Sequence, residues 1–110
     1  MTETSYGGVT VRRMDEAGHV AELVLDRPEA LNALSTAQAR AIGQACAELS
    51  GDARVRAVVV SSACEKAFCV GADLKERASF TDADLWRQRP IMRAAFTGVL
   101  GLPVPAIAAV

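Results

Sequence analysis

The chain has 110 residues, enough for one domain but small for most enzymes. Its hydrophobic content of 51% is typical of a globular protein and excludes a disordered one. The net charge of −1 argues against a general nucleic-acid binder, which usually carries a basic patch.

The first half of the chain predicts two strands and a helix. Residues 9–13 and 19–25 are strand candidates separated by a turn, and the second is rich in Val and Leu. Ser35 is typical of a helix N-cap, with Gln38 three residues later as the partner of a capping box. The predicted helix, residues 36–50, repeats apolar side chains on one face: Ile42, Cys46 and Leu49. Gly51 is predicted to end it in a left-handed conformation.

The second half predicts another strand, a loop and a long helix. Residues 55–61 contain the run AVVV, typical of a strand that is buried on both faces. After the loop at residues 66–77, Thr81 and Asp84 indicate a helix start. The side chains predicted to form its buried stripe are Leu85, Met92, Phe96 and Val99. Pro90 is predicted to kink or split that helix.

Gly101 and Pro103 end this helix, and residues 104–110 are predicted to enter the sheet as a strand. The order β-β-α-β-α-β indicates an α/β fold whose later strands are parallel and joined by right-handed crossovers. An apolar run reaches Val110. We therefore expect residues 1–110 to be the N-terminal part of a single larger domain, or a fold that needs partner chains.

Composition also bears on metals and location. Three cysteines without a CxxC pair, and one histidine distant in sequence, predict no metal site. They indicate reduced thiols, as in a cytosolic protein. The N-terminus lacks a signal-peptide pattern, and no apolar run approaches the roughly 20 residues that cross a bilayer. The sequence predicts a cytoplasmic protein that does not associate with membranes.

Two loops are candidate functional sites. Gly71 and Ala72 follow a buried strand and precede a charged helix start, so they could aim a main-chain N–H at an anionic oxygen. The alternative is a plain turn whose helix is capped by Asp73. In residues 26–35, small alanines would let a flat ligand lie against the main chain, and Asn32 can bond neighbouring backbone. The alternative there is a loop that feeds a capped helix.

Together these loops resemble the enoyl-CoA hydratase/isomerase family, the crotonase superfamily. Arg27-Pro28 with residues 31–34, LNAL, is similar to the family's first CoA-binding loop. Residues 68–75, FCVGADLK, are similar to its oxyanion-hole loop, and residues 102–110, LPVPAIAAV, to the strand before the second oxyanion loop. Residues 68–84 and 102–110 look most similar to methylglutaconyl-CoA hydratases. The resemblance covers nearly the whole chain and implies a crotonase-like spiral of repeated β-β-α units.

The resemblance also implies roles for particular residues. The N–H of Ala72 matches the first oxyanion donor, toward the thioester oxygen. Positions that match the wrapping of the adenine and pantetheine of CoA are Ala30, Leu31 and Ala33. Residues that line the oxyanion loop are Val70, Gly71, Asp73 and Leu74. Lys66 and Lys75 match basic positions that reach CoA phosphates, or else are solvated surface lysines. Glu29 departs from the family, which often has lysine there.

The implied activity is that of an acyl-CoA hydratase or isomerase, a lyase or isomerase of fatty acid metabolism that stabilises a thioester enolate. Coenzyme A is part of the substrate, so no separate cofactor is implied. The family's acid and base glutamates are expected beyond Val110, so this chain alone should be inactive. The complete protein should be a homotrimer or hexamer. The alternative is a non-catalytic short paralogue that binds acyl-CoA or a partner subunit.

Overall fold

Five strands form one sheet in the order β1-β2-β3-β4-β5 in the computed structural model, which describes residues 3–110. The strands are β1 (Glu3–Tyr6), β2 (Val9–Arg13), β3 (Val20–Leu25), β4 (Ala57–Ser62) and β5 (Ala106–Ala108). The first three pair antiparallel, whereas β4 pairs parallel with both β3 and β5. The predicted parallel arrangement of the later strands is therefore confirmed.

Three helices accompany the sheet: α1 (Thr36–Ser50), α2 (Leu74–Arg77) and α3 (Asp82–Leu100). The hydrophobic core includes side chains from β2, β3, α1 and β4, such as Val9, Leu23, Leu49 and Val58, all at most 2% exposed. No helix among residues 3–110 is long and apolar enough to span a bilayer.

The predicted strands are present, with corrections to β4 and β5. Strand β2 lies at the predicted residues, whereas β4 begins at Ala57 because the Val55 N–H donates to Asp52 O in a turn. The prediction that this strand is buried on both faces is wrong, since Val58 alone among its residues is buried. Val58 faces the core, while Ser61 lies on a polar face and donates to Glu22. Strand β5 is shorter than the predicted residues 104–110.

Helix α1 begins as predicted and ends differently. The Ser35 hydroxyl accepts the Gln38 N–H at 3.1 Å, but the Gln38 side chain donates to Gly8 O instead of closing the capping box. The predicted apolar face is confirmed, because Ile42, Cys46 and Leu49 are all buried. Gly51 has φ −88°, so the predicted left-handed ending is wrong. Its N–H donates to Ala47 O and Glu48 O while the Gly51 backbone stays in the right-handed helical region.

Helix α3 starts after Thr81 as predicted, and Thr81 and Asp84 form a capping box there, since each accepts the other's main-chain N–H. Helical geometry continues through Pro90, so the helix is not split. The predicted stripe is partly wrong, because Leu85 is 38% and Phe96 57% exposed. Gln88 and Ala95 are buried instead. The helix is rotated in this way by close packing on α1, where a Cβ added at Gly98 would lie 3.2 Å from Cys46 Cβ.

Candidate functional site

Both candidate loops leave the sheet at the carboxyl ends of neighbouring parallel strands, where ligand sites of α/β proteins occur. The first loop follows β3 and the second follows β4. They meet in an isolated parallel bridge between Leu34 and Ala72. The structure therefore brings the two sequence-predicted segments together.

The first loop is held in an unusual backbone conformation. A 3-10 turn at Pro28–Ala30 leads into Leu31 and Asn32, with φ values of 53° and 56°. Non-glycine residues rarely occupy this left-handed region, although asparagine does so more readily than leucine. Ala30 and Leu31 are half-buried, whereas Ala33 is only 8% exposed and its carbonyl accepts from the Arg27 guanidinium.

Asn32 joins this loop to the second one. Its side chain is fully buried and accepts the Arg27 N–H at 2.8 Å. The amide nitrogen donates to Ser62 Oγ at 2.8 Å and to Phe68 O at 3.0 Å. The sequence predicted only local bonding for Asn32, and it predicted no role for Ser62. The one sequence signal for Ser62 is a pair of serines that ends an apolar strand.

The second loop turns at Gly71, whose φ of +96° suits glycine alone. Leu34 N–H donates to Gly71 O at 2.7 Å, and Asp73 N–H donates to Leu34 O at 3.2 Å. In a parallel bridge of this kind, the residue between the two bonded groups directs its own N–H away from the partner strand. The Ala72 N–H accordingly has no acceptor among residues 3–110. It is a main-chain donor that a ligand oxygen could use.

Asp73 caps the N-terminus of α2, as expected from the alternative of a plain turn before a capped helix. Its carboxylate accepts the Glu76 N–H at 3.1 Å and pairs with Arg27 at 2.9 Å. The Glu76 N–H, and then the Arg27 guanidinium, hold the pKa of the Asp73 carboxyl below its usual value. Asp73 is thus an ionised structural carboxylate. Its ion pair with Arg27 links the two loops, and the sequence did not predict this pair.

The remaining predicted site residues lie at the surface of the second loop and of α2. Val70 and Leu74 are 54% and 76% exposed, and Lys66 and Lys75 are exposed as well. The Val70 N–H donates to Leu31 O at 3.3 Å, which places Val70 beside the first loop. Among residues 3–110, no three His, Cys, Asp or Glu side chains cluster as a metal site would require.

Comparison with known proteins adds a family relationship. Residues 15–110 match the sequence profile of the family described as Enoyl-CoA hydratase/isomerase. An enoyl-CoA isomerase/hydratase of Zymoseptoria tritici is 40% identical over 84% of this chain and 31% of its own length. The human mitochondrial methylglutaconyl-CoA hydratase is 33% identical over 91% of this chain and 30% of its own length.

Solved structures give the same relationship. The crystal structure of an enoyl-CoA hydratase from Bacillus anthracis superposes with a TM-score of 0.86 at 33% identity, over 94% of this chain and 39% of that one. The chain therefore spans about a third of the length of the curated relatives that it matches.

Proposed function

The chain belongs to the enoyl-CoA hydratase/isomerase family, and we propose that it supplies the first CoA-binding loop and the first oxyanion donor of an acyl-CoA hydratase or isomerase. The predicted family resemblance and mixed α/β fold are confirmed, the fold matching about 39% of a crotonase-type chain. The relatives include methylglutaconyl-CoA hydratases and other hydratases and isomerases, so the acyl group is not specified.

The observation that carries the proposal is the Ala72 N–H, which has no acceptor within residues 3–110, while Gly71 O and Asp73 N–H on either side of it are bonded to Leu34. A rigid main-chain donor of this kind suits the oxygen of an acyl thioester, which becomes negatively charged as an enolate forms. Such a donor costs no reorganisation during the reaction, and one is worth roughly 3–4 kcal/mol in other oxyanion holes.

The remaining contacts with the substrate follow from the same assignment. Ala30, Leu31 and Ala33 wrap the adenine and pantetheine, and Ala33 is the least exposed of the three at 8%. Lys66 and Lys75 are exposed and can reach phosphate groups. Val70, Gly71, Asp73 and Leu74 shape the loop around the thioester. Coenzyme A remains part of the substrate and is not a separate cofactor.

The acid and base of the reaction are assigned to the part of the family's length that this chain does not span. Asp73 is occupied as a helix cap, and residues 1–110 alone are expected to be inactive. The complete protein is expected to form a homotrimer or hexamer. The predicted cytoplasmic location stays a prediction, and the human relative is described as mitochondrial.

Replacement of the donor tests the proposal in the complete protein. Ala72→Pro removes the N–H, and turnover of a short 2-enoyl-CoA should fall about 100- to 1000-fold. Ala72→Gly keeps the N–H and should retain close to wild-type turnover. Hydration is followed by the loss of ultraviolet absorbance of the conjugated thioester, and 3-enoyl isomerisation by its appearance.

Circular dichroism and thermal melting serve as controls, because proline also restricts the conformation of Gly71. A folded Ala72→Pro enzyme with normal turnover would show that the loop is only a helix cap. Acyl-CoA binding by the wild type without any turnover would favour the non-catalytic binding module instead.

A further inference from the structure

A network of hydrogen bonds joins α2 to the other two helices. One carboxylate oxygen of Glu76 accepts the Thr36 N–H at 3.0 Å, the Thr36 hydroxyl at 3.0 Å and the Gln88 amide at 2.9 Å. Thr36 is the first residue of α1, and Gln88 lies in α3. A single side chain on α2 therefore contacts both larger helices.

Gln88 fixes the geometry of this network. It is 3% exposed, and its nitrogen donates to Thr36 Oγ1 at 2.9 Å as well as to Glu76. Its oxygen accepts from Arg77 Nε at 3.1 Å. Reversing the amide would set its NH₂ group against the Arg77 donor and its oxygen against the Glu76 carboxylate. Only one orientation satisfies these contacts.

The network continues the contact between the two functional loops. Leu34 bonds to Gly71 O and to Asp73 N–H on either side of Ala72. Two residues further along the first segment, Thr36 bonds to Glu76. Residues 34–36 and 71–76 thus run side by side, joined by hydrogen bonds at Gly71, Asp73 and Glu76. Glu76 is the last of them and joins α2 to the first residue of α1.

We propose that Glu76 is a positioning residue: it acts as neither acid nor base, and it holds α2 against α1 so that the Ala72 N–H keeps its direction. The proposal rests on the donor role of Ala72. The second carboxylate oxygen of Glu76 has no hydrogen-bond partner within residues 3–110. An amide in place of the carboxylate can therefore keep all three contacts, whereas a methyl group loses them.

This difference defines the experiment, carried out on the complete protein. Glu76→Ala should lower kcat by up to about 100-fold with little change in KM, because a displaced donor weakens binding of the transition state more than that of the substrate. It should also speed hydrogen–deuterium exchange of peptides that cover residues 70–77. Glu76→Gln should preserve kcat, its pH profile and the exchange rates. Glu16→Ala, an exposed carboxylate in the turn between β2 and β3, is the matched control.

The outcomes separate this proposal from the proposed function. If Glu76→Gln is as inactive as Glu76→Ala and one limb of the pH profile is lost, Glu76 is an acid or base and the proposal is wrong. Normal kcat and exchange in Glu76→Ala also overturn it. A wild type without turnover refutes the proposed function. The hydrogen–deuterium exchange of residues 70–77 alone then decides whether Glu76 holds α2 in place. If Glu76→Ala does not fold, the variant Gln88→Leu is used instead in the kinetic and exchange measurements. It removes the Gln88 amide that donates to Glu76.

Discussion

At the scale of single residues, the non-glycine residues with positive φ within residues 3–110 lie where the two candidate loops meet. Leu31, Asn32 and Gly71 all have positive φ, and they lie within the hydrogen-bonded contact of these loops. A left-handed leucine costs roughly 1–2 kcal/mol. The three hydrogen bonds of the Asn32 side chain, each contributing about 1 kcal/mol, can offset such a cost. Strain supported in this way is typical of functional sites.

Gly71 gives a residue-scale prediction about stability. Replacement with alanine meets no atom within 4 Å, so any effect comes from the backbone conformation alone. With φ at +96°, Gly71→Ala should lower the free energy of unfolding by about 1–3 kcal/mol. Chemical denaturation of the complete protein measures the change.

Gly43 provides a matched control for this prediction. It lies inside α1, and a Cβ there also meets nothing within 4 Å. Gly43→Ala should therefore raise the unfolding free energy by about 0.5–1 kcal/mol. Equal effects of the two substitutions would contradict the assignment of strain to Gly71.

At the scale of elements, α3 shows tertiary packing outweighing a local helix breaker. Pro90 lacks an N–H for the carbonyl of Trp86, yet the helix continues from Asp82 to Leu100. Two features support it: the Thr81 capping box at its start, and the burial of Gln88 and Ala95. Because Pro90 itself is exposed, it contributes little packing in return.

Replacement of Pro90 should therefore stabilise the protein. Pro90→Ala restores the missing N–H and relieves the clash with the preceding turn, for a gain of up to about 3 kcal/mol in unfolding free energy. Thermal and urea unfolding of the complete protein test this. Pro103→Ala, outside the helix, should have a much smaller effect. A destabilised Pro90→Ala variant would mean that the proline ring makes a required contact.

At the scale of the whole molecule, several large apolar side chains at the end of α3 and around the last strand are exposed. Phe96, Leu100, Ile107 and Val110 are 57%, 85%, 60% and 96% exposed. An apolar cavity of about 390 Å³ opens between the sheet and α3, beside Phe96 and Leu100. Strand β5 also forms an edge of the sheet, and unpaired edges promote association.

Residues 1–110 produced alone should for this reason aggregate or bind another chain. Analytical ultracentrifugation should detect species larger than the monomer at micromolar concentration. The double variant Phe96→Asp with Leu100→Asp should reduce that association, because it places charge beside the apolar cavity, where these two side chains are exposed. A stable monomer with cooperative unfolding would refute the prediction.

Features that depend on near neighbours in the chain could be predicted from the sequence. Ser35, Asp73 and Thr81 cap helices because each hydroxyl or carboxylate accepts an N–H only three residues away. The residues of the two loops likewise indicated the family.

Tertiary structure alone decided the features that depend on distant partners. Strand β1 has exposed polar residues without a strand pattern, and it exists because it pairs with β2. The buried side of α3 was set by its packing on α1. Asn32 bonds to Phe68, and Thr36 to Glu76, 36 and 40 residues apart. No periodicity encodes such pairs, since a hydrogen bond of this kind forms only after folding has brought the two segments together.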